Sequence, residues 1–172
     1  CVNATNDVSV ELAPASPGTN ITLQIECLDG SAVFVPSGST SSNIASSATM
    51  KIKGVTGSSV ASNMMLKAML GTDVLASNKF TVVGLQDPLQ YRIGTNVLAD
   101  MPSPLYVAKD TMVNFKAVKS PTNAPWPSGK PVWGGVLSGS GMESNSYTFS
   151  TVSTSATDYK IVSAECGNTV SG

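Results

Sequence analysis

The sequence contains no histidine and few charged residues, and both shortages narrow its possible functions. Without histidine, the chain cannot build a Ser-His-Asp or Cys-His catalytic group, and it lacks the commonest metal ligand. Its 10 basic and 11 acidic residues give a net charge of −1. Such a chain has no overall electrostatic attraction for nucleic acid or for an anionic membrane surface. We therefore expect neither an enzyme nor a nucleic-acid-binding protein.

Long apolar segments and clustered metal ligands are also absent from the sequence. No apolar run reaches the length of about 18 residues that indicates a transmembrane helix, so no membrane span is expected. The three cysteines, Cys1, Cys27 and Cys166, do not have the spacing of a zinc site. No glycine-rich loop has a phosphate-binding pattern, so we expect no metal and no cofactor. The odd number of cysteines predicts a free thiol, a lipidated cysteine or a bond between chains.

Short segments that alternate apolar and polar residues are what the sequence does contain. Residues 8–12 alternate Val, Val and Leu with Ser and Glu, and residues 21–27 and 113–117 repeat the pattern. A period of two predicts a strand with one buried face. The Met- and Leu-rich segment 61–70 lies between turn-forming residues, so we interpret it as a strand and not as a helix. The sequence therefore predicts an all-β protein.

The two halves of the sequence repeat the same order of predicted elements, although their identity is low. The alignment pairs residues 20–30 with 110–120, and 48–74 with 145–170. Each half has an early strand, two later strands and a glycine-led turn, at Gly71 or Gly167. Turn-forming residues before Pro88 mark the boundary. The predicted domains are residues 1–85 and 86–172.

Two segments of the second half carry a family resemblance. They are "KDTMVNFKAVKSPTNAPWPSGKPVWGGVLSGSG" and "SATDYKIVSAECGNTV", within residues 88–170. This half resembles the tandem immunoglobulin-like (Ig-like) domains of bacterial surface and secreted proteins. The resemblance implies two tandem Ig-like β-sandwich domains, located outside the cell or at its surface. It also implies that Trp133 is buried in the core and that Tyr159 marks a tyrosine corner, although Tyr159 lies farther from Cys166 than usual.

The end of the sequence leads to a prediction about function. In the first half a last strand follows the turn at Gly71, whereas the chain ends shortly after the turn at Gly167. We therefore expect the second domain to lack its last strand and to expose an edge that accepts a strand from a neighbouring copy. The acceptor residues would be Ile161, Val162, Ala164 and Val170. The donor residues would be Val2, Val8, Val10 and Leu12.

Two alternatives to strand donation stay open for the end of the second domain. The chain begins at Cys1 and not at Met, so it could be a processed form or a fragment whose next residues supply the strand. The last strand could also be short and sufficient. Cys1 could bond to Cys27 within the first domain, or to Cys166 of a neighbouring copy. A lipid on Cys1 is a further possibility.

These features favour an extracellular structural subunit that polymerises head-to-tail, like a pilus, by strand donation between its copies. The alternative is an adhesive or carbohydrate-binding module of a larger surface protein. In that module Trp126, which lies between two prolines, would stack on surface glycans. Asn3 and Asn20 begin the sequons Asn-Ala-Thr and Asn-Ile-Thr, which predict glycosylation only if the source glycosylates.

Overall fold

The computed structural model describes residues 1, 3, 5–11, 20–27, 32–44, 47–55, 64–153, 155 and 158–171. These ranges contain strands, turns and irregular segments and no helix, which confirms the all-β prediction. The described residues therefore include no long apolar helix of the kind that crosses a membrane. The chain divides into two compact units, Cys1–Gly84 and Leu85–Gly172.

The first unit is built from two antiparallel sheets. Its strands are β1 (Thr5–Glu11), β2 (Ile21–Cys27), β3 (Ala32–Val35), β4 (Ser41–Ile44), β5 (Ser47–Gly54), β6 (Met64–Leu70) and β7 (Asp73–Phe80). One sheet has the order β1-β5-β3, and the other has the order β4-β2-β6-β7. The segment that we interpreted as a strand from its Met and Leu residues is β6 over its described part, so that interpretation is confirmed.

One hydrophobic core joins the two sheets of the first unit. Phe34 on β3 and Ile52 on β5 come from the three-stranded sheet, and Leu23 on β2 and Met64 on β6 come from the four-stranded sheet. Alternate residues of each strand point inward because the side-chain period of a strand is two. Each sheet thus buries one face against the other, which makes the first unit β-sandwich-like.

The remaining strands belong to the second unit, except that β8 begins at the last residue of the first. They are β8 (Gly84–Leu85), β9 (Gln90–Ile93), β10 (Ala99–Asp100), β11 (Thr111–Lys116), β12 (Lys119–Ser120), β13 (Val132–Gly135), β14 (Gly139–Ser140), β15 (Ser144–Phe149), β16 (Val162–Cys166) and β17 (Asn168–Ser171). Two four-stranded sheets have the orders β10-β9-β11-β15 and β14-β13-β16-β17, and β12 and β8 form a third, smaller sheet.

Buried residues from both larger sheets form the core of the second unit. Val113 and Phe115 lie on β11, and Ala164 lies on β16. Trp133 is 3% exposed, and its Nε1–H donates a hydrogen bond to the Met142 carbonyl oxygen at 2.7 Å. The prediction that Trp133 is a core residue is therefore confirmed. The predicted tyrosine corner is wrong, because the Tyr159 side chain is 61% exposed and a corner tyrosine must lie against the sandwich.

The two units share their last hairpin but not their whole sheet order. The β6–β7 and β16–β17 hairpins are both antiparallel, with glycines of positive φ, Gly71 and Gly167, at their turns. The aligned early strands differ in their partners. Strand β2 lies between β4 and β6, whereas β11 lies between β9 and β15. The repeat in the sequence therefore predicts strands and turns but not which sheet each strand joins.

The expected gap at the end of the second unit is filled by β17. Residues 168–171 pair with residues 163–166 of β16, so a last strand is present and the expectation of a missing strand is wrong. Strand β16 also pairs with β13 on its other side. Val162 and Ala164 therefore lie on a central strand, Ile161 directly precedes it, and only Val170 lies on the edge strand. The predicted acceptor edge is wrong for Ala164, which pairs with Trp133 on one side and with Val170 on the other, because a doubly paired residue has no free backbone groups to offer. Among the described strands Val162 pairs with Gly135 alone, and the acceptor roles of Ile161 and Val162 stay predictions.

Candidate functional site

The side of the first unit between its edge strands β1 and β7 contains a cleft of about 280 Å³. We call this side the lateral opening. Apolar side chains from both sheets line much of it, including Val8 on β1, Ile52 on β5 and Leu66 on β6. Phe80, at the end of β7, and Val82 complete the apolar lining. The two sheets are thus open to the outside along this side, with an apolar surface between their edges.

Strand β7 forms one border of the lateral opening and is exposed along nearly its whole length. Residues 73–79 are all exposed, with Val74 at 51% and Leu75 at 46%. The strand pairs with β6 on one side, and on the other side it has no strand partner in the described part of the chain. Within the described residues, its outward edge therefore resembles the unpaired edges that can accept another strand.

An irregularity in β7 limits where such a strand could pair. Ala68 pairs with Ala76, but Met69 pairs with Val74, so Leu75 is an extra residue in the ladder. A bulge of this kind twists a strand and disrupts pairing at the edge. Regular pairing is therefore available from Ala76 to the end of the strand, which is the part that lies beside the cleft.

Strand β1 forms the other border of the lateral opening. All seven of its residues pair with β5, from Thr5 opposite Lys53 to Glu11 opposite Ser47. Val8 and Val10 pack against the core of this unit. Val8 and Val10, two of the four predicted donor residues, therefore belong to an edge strand of the first unit of the same chain. The other two, Val2 and Leu12, lie outside the described residues.

The polar contacts of β1 lie on its exposed face. Ser9 Oγ lies 3.0 Å from Thr49 Oγ1, and Lys51 Nζ lies 3.2 Å from Asp7 Oδ1. An ion pair with both side chains more than half exposed contributes about 0–1 kcal/mol. Backbone pairing and the two valines therefore hold β1 to β5, and charge has a small part.

The first residues of the chain lie very close to the end of β5. The Asn3 N–H donates a hydrogen bond to the Gly54 carbonyl oxygen at 2.7 Å. A Cβ atom at Gly54 would lie 2.6 Å from the Cys1 carbonyl oxygen and 2.7 Å from Val82 Cγ1. A residue without a side chain is therefore needed at Gly54 for Cys1 and Val82 to approach the cleft this closely.

The cysteines lie in different parts of the chain. Cys1 is half-buried and lines the cleft, whereas Cys166 is fully buried in the core of the second unit. Burial raises the pKa of the Cys166 thiol above its ordinary value, since a thiolate there would lose its hydration. A bond from Cys166 to a neighbouring copy would require its sulfur at the surface. The Cys27 side chain lies outside the described residues, and the pairings with Cys27 stay predictions.

Trp126 is half-buried and contacts charged groups of the second unit. Its Nε1–H donates to Glu143 Oε2 at 3.4 Å, and Lys119 Nζ lies 5.2 Å from the centre of its ring. Glu143 also pairs with Lys116 at 3.3 Å. The ammonium of Lys119 therefore covers ring surface that a sugar would need for stacking. Glycan binding at Trp126 stays a prediction.

The two sequon asparagines are both exposed. Asn3 precedes β1, and Asn20 directly precedes β2. Their side chains are accessible to a glycosylating enzyme, and their modification stays a prediction. Among the described residues, no group of three or more cysteine or acidic side chains is placed to hold a metal ion.

Comparison with known proteins finds no relative of this chain. No family model, no curated protein and no solved structure matches it. The function proposed below therefore rests on the residues and the geometry of the chain itself.

Proposed function

We propose that this chain is a structural subunit outside the cell or at its surface, which assembles with its own copies into a filament by pairing of β-strands. The observation that carries the proposal is the lateral opening, where a long exposed edge strand lies beside an apolar cleft. Proteins that stay monomeric usually cover or shorten such an edge. Backbone groups would provide the affinity, and the cleft would receive apolar side chains.

The proposal includes an Ig-like character for the second unit. If β9, β11, β13, β14, β15, β16 and β17 are numbered one to seven, one sheet has the order 1-2-5 and the other has the order 4-3-6-7. A constant-type Ig domain has the orders 1-2-5-4 and 3-6-7. Only the fourth strand, β14, differs in its sheet. The short strand β10 is an addition at one edge.

The first unit departs further from that order. Its strands give the orders 1-5-3 and 4-2-6-7. In the first unit the second strand shares a sheet with the sixth and seventh strands, a position that the third strand has in an Ig domain. The third strand shares a sheet with the first and fifth strands, a position that the second strand has in an Ig domain. For the first unit we therefore propose a β-sandwich of different strand order, whose free edges serve assembly.

A structural role without catalysis also agrees with the inventory of side chains. The sequence has no histidine. Several carboxylates, such as Glu26 and Glu165, pair with lysines at the surface of the sheets and not in a cavity. The cleft itself is lined largely by apolar side chains, together with polar residues such as Asn6 and Asn78 and the charged Lys79. Its described lining includes no carboxylate and no imidazole, the side chains that most often carry out acid–base catalysis.

A charge at the lateral opening tests the proposal. Asn78 lies on β7 and lines the cleft. In Asn78→Lys, a strand that pairs with β7 would bury an ammonium group, and we expect assembly to weaken at least about tenfold because burying an unpaired charge costs more than about 1.4 kcal/mol. Sedimentation velocity of each variant measures the assembly.

Ser41→Lys is the matched control, because Ser41 lies exposed on β4, the opposite edge of the same sheet. We expect this variant to assemble like the unchanged chain. Equal weakening by the two substitutions would show that the lateral opening has no special role in assembly.

A further inference from the structure

We propose that the two edges of the lateral opening are complementary to each other, so that β1 of one copy pairs antiparallel with β7 of another. The partner at this site is thus a second copy of the chain. This inference rests on the proposed function and names the strands and the register of the joint. Neither strand has to leave its own sheet, since the pairing uses the outer edge of each.

The side chains of β1 divide into two rows. Val8 and Val10 face the core, and Asn6 lines the cleft, so these three residues form the inner row. Asp7 and Ser9 alternate with them, and both are exposed. The inner row is thus mostly apolar, and among the described side chains the outer row carries the negative charge of Asp7.

The side chains of β7 divide in the same way beyond its bulge. Phe80 packs against the core, Asn78 lines the cleft, and Ala76 pairs with the buried Ala68, so these three form the inner row. Ser77 and Lys79 alternate with them along the strand and are exposed, and Lys79 also borders the cleft. The outer row of β7 therefore carries one positive charge.

One antiparallel register matches both rows at once. It places Asp7 opposite Lys79 and Ser9 opposite Ser77 on the outer face. On the inner face it places Asn6 opposite Phe80, Val8 opposite Asn78 and Val10 opposite Ala76. A shift by one residue would place inner residues opposite outer ones, because side chains alternate along each strand. Opposite charges and paired hydroxyl groups directly across from each other are the pairs that stabilise antiparallel strands.

The register also agrees with two further features of the chain, the regular stretch of β7 and the charges around Asp7. The stretch 76–80 of β7 has regular pairing, and its residues 78–80 line the cleft, whereas the irregular Leu75 falls at the end of the joint. In the joint, the Asp7 carboxylate would lie between Lys51 of its own copy and Lys79 of the other copy. Because an acidic side chain is attracted by both ammonium groups, the edge of β1 would prefer the edge of β7 as its partner.

The joint is heterologous, because each copy contributes β1 at one contact and β7 at the other. Such contacts propagate into an open filament unless the rotation closes them. Both edges border the same cleft, so closure into a pair of copies with two joints competes with the filament. The register is the same in both assemblies.

Cysteine cross-linking between two singly substituted chains tests the register. A Ser9→Cys chain and a Ser77→Cys chain are mixed, oxidised and separated without reductant. We expect a disulfide-linked dimer that contains one chain of each kind, identified by isotope labelling of one of them. Directly opposite residues on antiparallel strands lie within disulfide distance. The unchanged chain, oxidised in parallel, shows the background from the native cysteines.

Ser41→Cys mixed with Ser9→Cys is the control pair, because Ser41 lies on the opposite edge of the β7 sheet. A charge exchange provides a second measurement. Asp7→Lys alone and Lys79→Asp alone each place like charges across the joint and should weaken assembly. A chain with both substitutions restores opposite charges and should assemble better than either single variant.

Four outcomes are possible, and they test this inference and the proposed function separately. Filaments together with the mixed dimer support both. Filaments without the mixed dimer, and without rescue by charge exchange, overturn the β1–β7 register and leave strand-mediated assembly standing. Assemblies that stop at two copies and give the mixed dimer support the register and overturn the filament. A chain that stays monomeric overturns both.

Discussion

Cys166 shows how burial sets the chemistry of a single residue. Its side chain is fully buried on β16, and burial raises the pKa of the thiol. Nearby Lys130 acts in the opposite direction with a smaller effect, and Glu165 adds to the increase. The folded chain therefore holds the thiol proton at a pH where the unfolded chain has begun to lose it.

The stability of the second unit should consequently fall in mildly alkaline solution. Below the pKa of the thiol in the unfolded chain, which is about 8.5, the thiol is protonated in both the folded and the unfolded state. In that range the free energy of unfolding does not depend on the ionisation of Cys166. Above that pH the unfolded state ionises first, so the free energy of unfolding decreases as the pH rises. Urea unfolding at about pH 7 and about pH 9.5, followed by tryptophan fluorescence, measures the change.

Cys166→Ala is the control for this pH dependence. Both tryptophans, Trp126 and Trp133, lie in the second unit, so the fluorescence reports on the right part of the chain. The variant should be less stable at neutral pH because it removes buried atoms, by about 1 kcal/mol. Its loss of stability between the two pH values should be smaller than in the unchanged chain. An equal loss would contradict the role assigned to Cys166.

At the scale of the element, the close contact of β13 with β16 depends on one glycine. Gly135 has a φ of 75°, and a Cβ atom there would lie 1.9 Å from the Ile161 carbonyl oxygen. The backbone of β13 would have to move away from β16 to accept any side chain. That movement would disturb the sheet that contains Trp133.

Gly135→Ala should therefore destabilise the second unit by at least about 3 kcal/mol, through strain at positive φ and the clash with Ile161. Gly129→Ala is a matched comparison, since Gly129 has a φ of 70° and nothing lies within 4 Å of its Cβ position. That variant should lose only the conformational cost, about 1–2 kcal/mol. Urea denaturation of both variants checks the difference, and equal losses would show that the clash is relieved without effect on the sheet.

Strands could be predicted from the sequence far better than their partners. The alternation in residues 21–27 and 113–117 identifies β2 and β11, because burial of one face imposes that pattern locally. Their different neighbours depend on contacts between distant segments, which no local pattern encodes. The short last strand β17 was an alternative that the sequence left open but did not favour, for a related reason. A glycine at positive φ and four paired residues are enough for a hairpin, although they give almost no alternation.

Strand β7 was expected as the last strand of the first half, but the exposed edge that we propose for assembly was not expected there. Its sequence, "DVLASNKF", has no clear alternation, because the extra residue in its ladder breaks the period of two. Its exposure, and the lack of a second neighbouring strand among the described residues, are properties of the folded sheet. The nearest signal in the sequence is the adjacent apolar pair Val74 and Leu75. Both residues are exposed in the fold, which would be unusual in a strand that faces only water.

At the scale of the whole molecule, the low charge and the edge strands of the described sheets are the features that support our proposal of association between copies. Only 12% of the residues are charged, so little electrostatic repulsion keeps copies apart. The sequence led us to expect self-assembly with the acceptor edge in the second domain. The two long edges that border an apolar cleft lie in the first unit instead, and the second unit has its own last strand. Self-assembly itself stays a prediction, and the edge to which we assign it depends on strand partners that the sequence does not show.

The most direct test of self-assembly is the mass of the unchanged chain in solution as a function of concentration. Analytical ultracentrifugation over a wide concentration range, with electron microscopy of the most concentrated sample, gives this mass and the form of any assembly. We expect the mean mass to rise above the 17.6 kDa of one chain as the concentration increases, with filaments in the images. A constant mass of 17.6 kDa at every concentration would contradict assembly through the lateral opening.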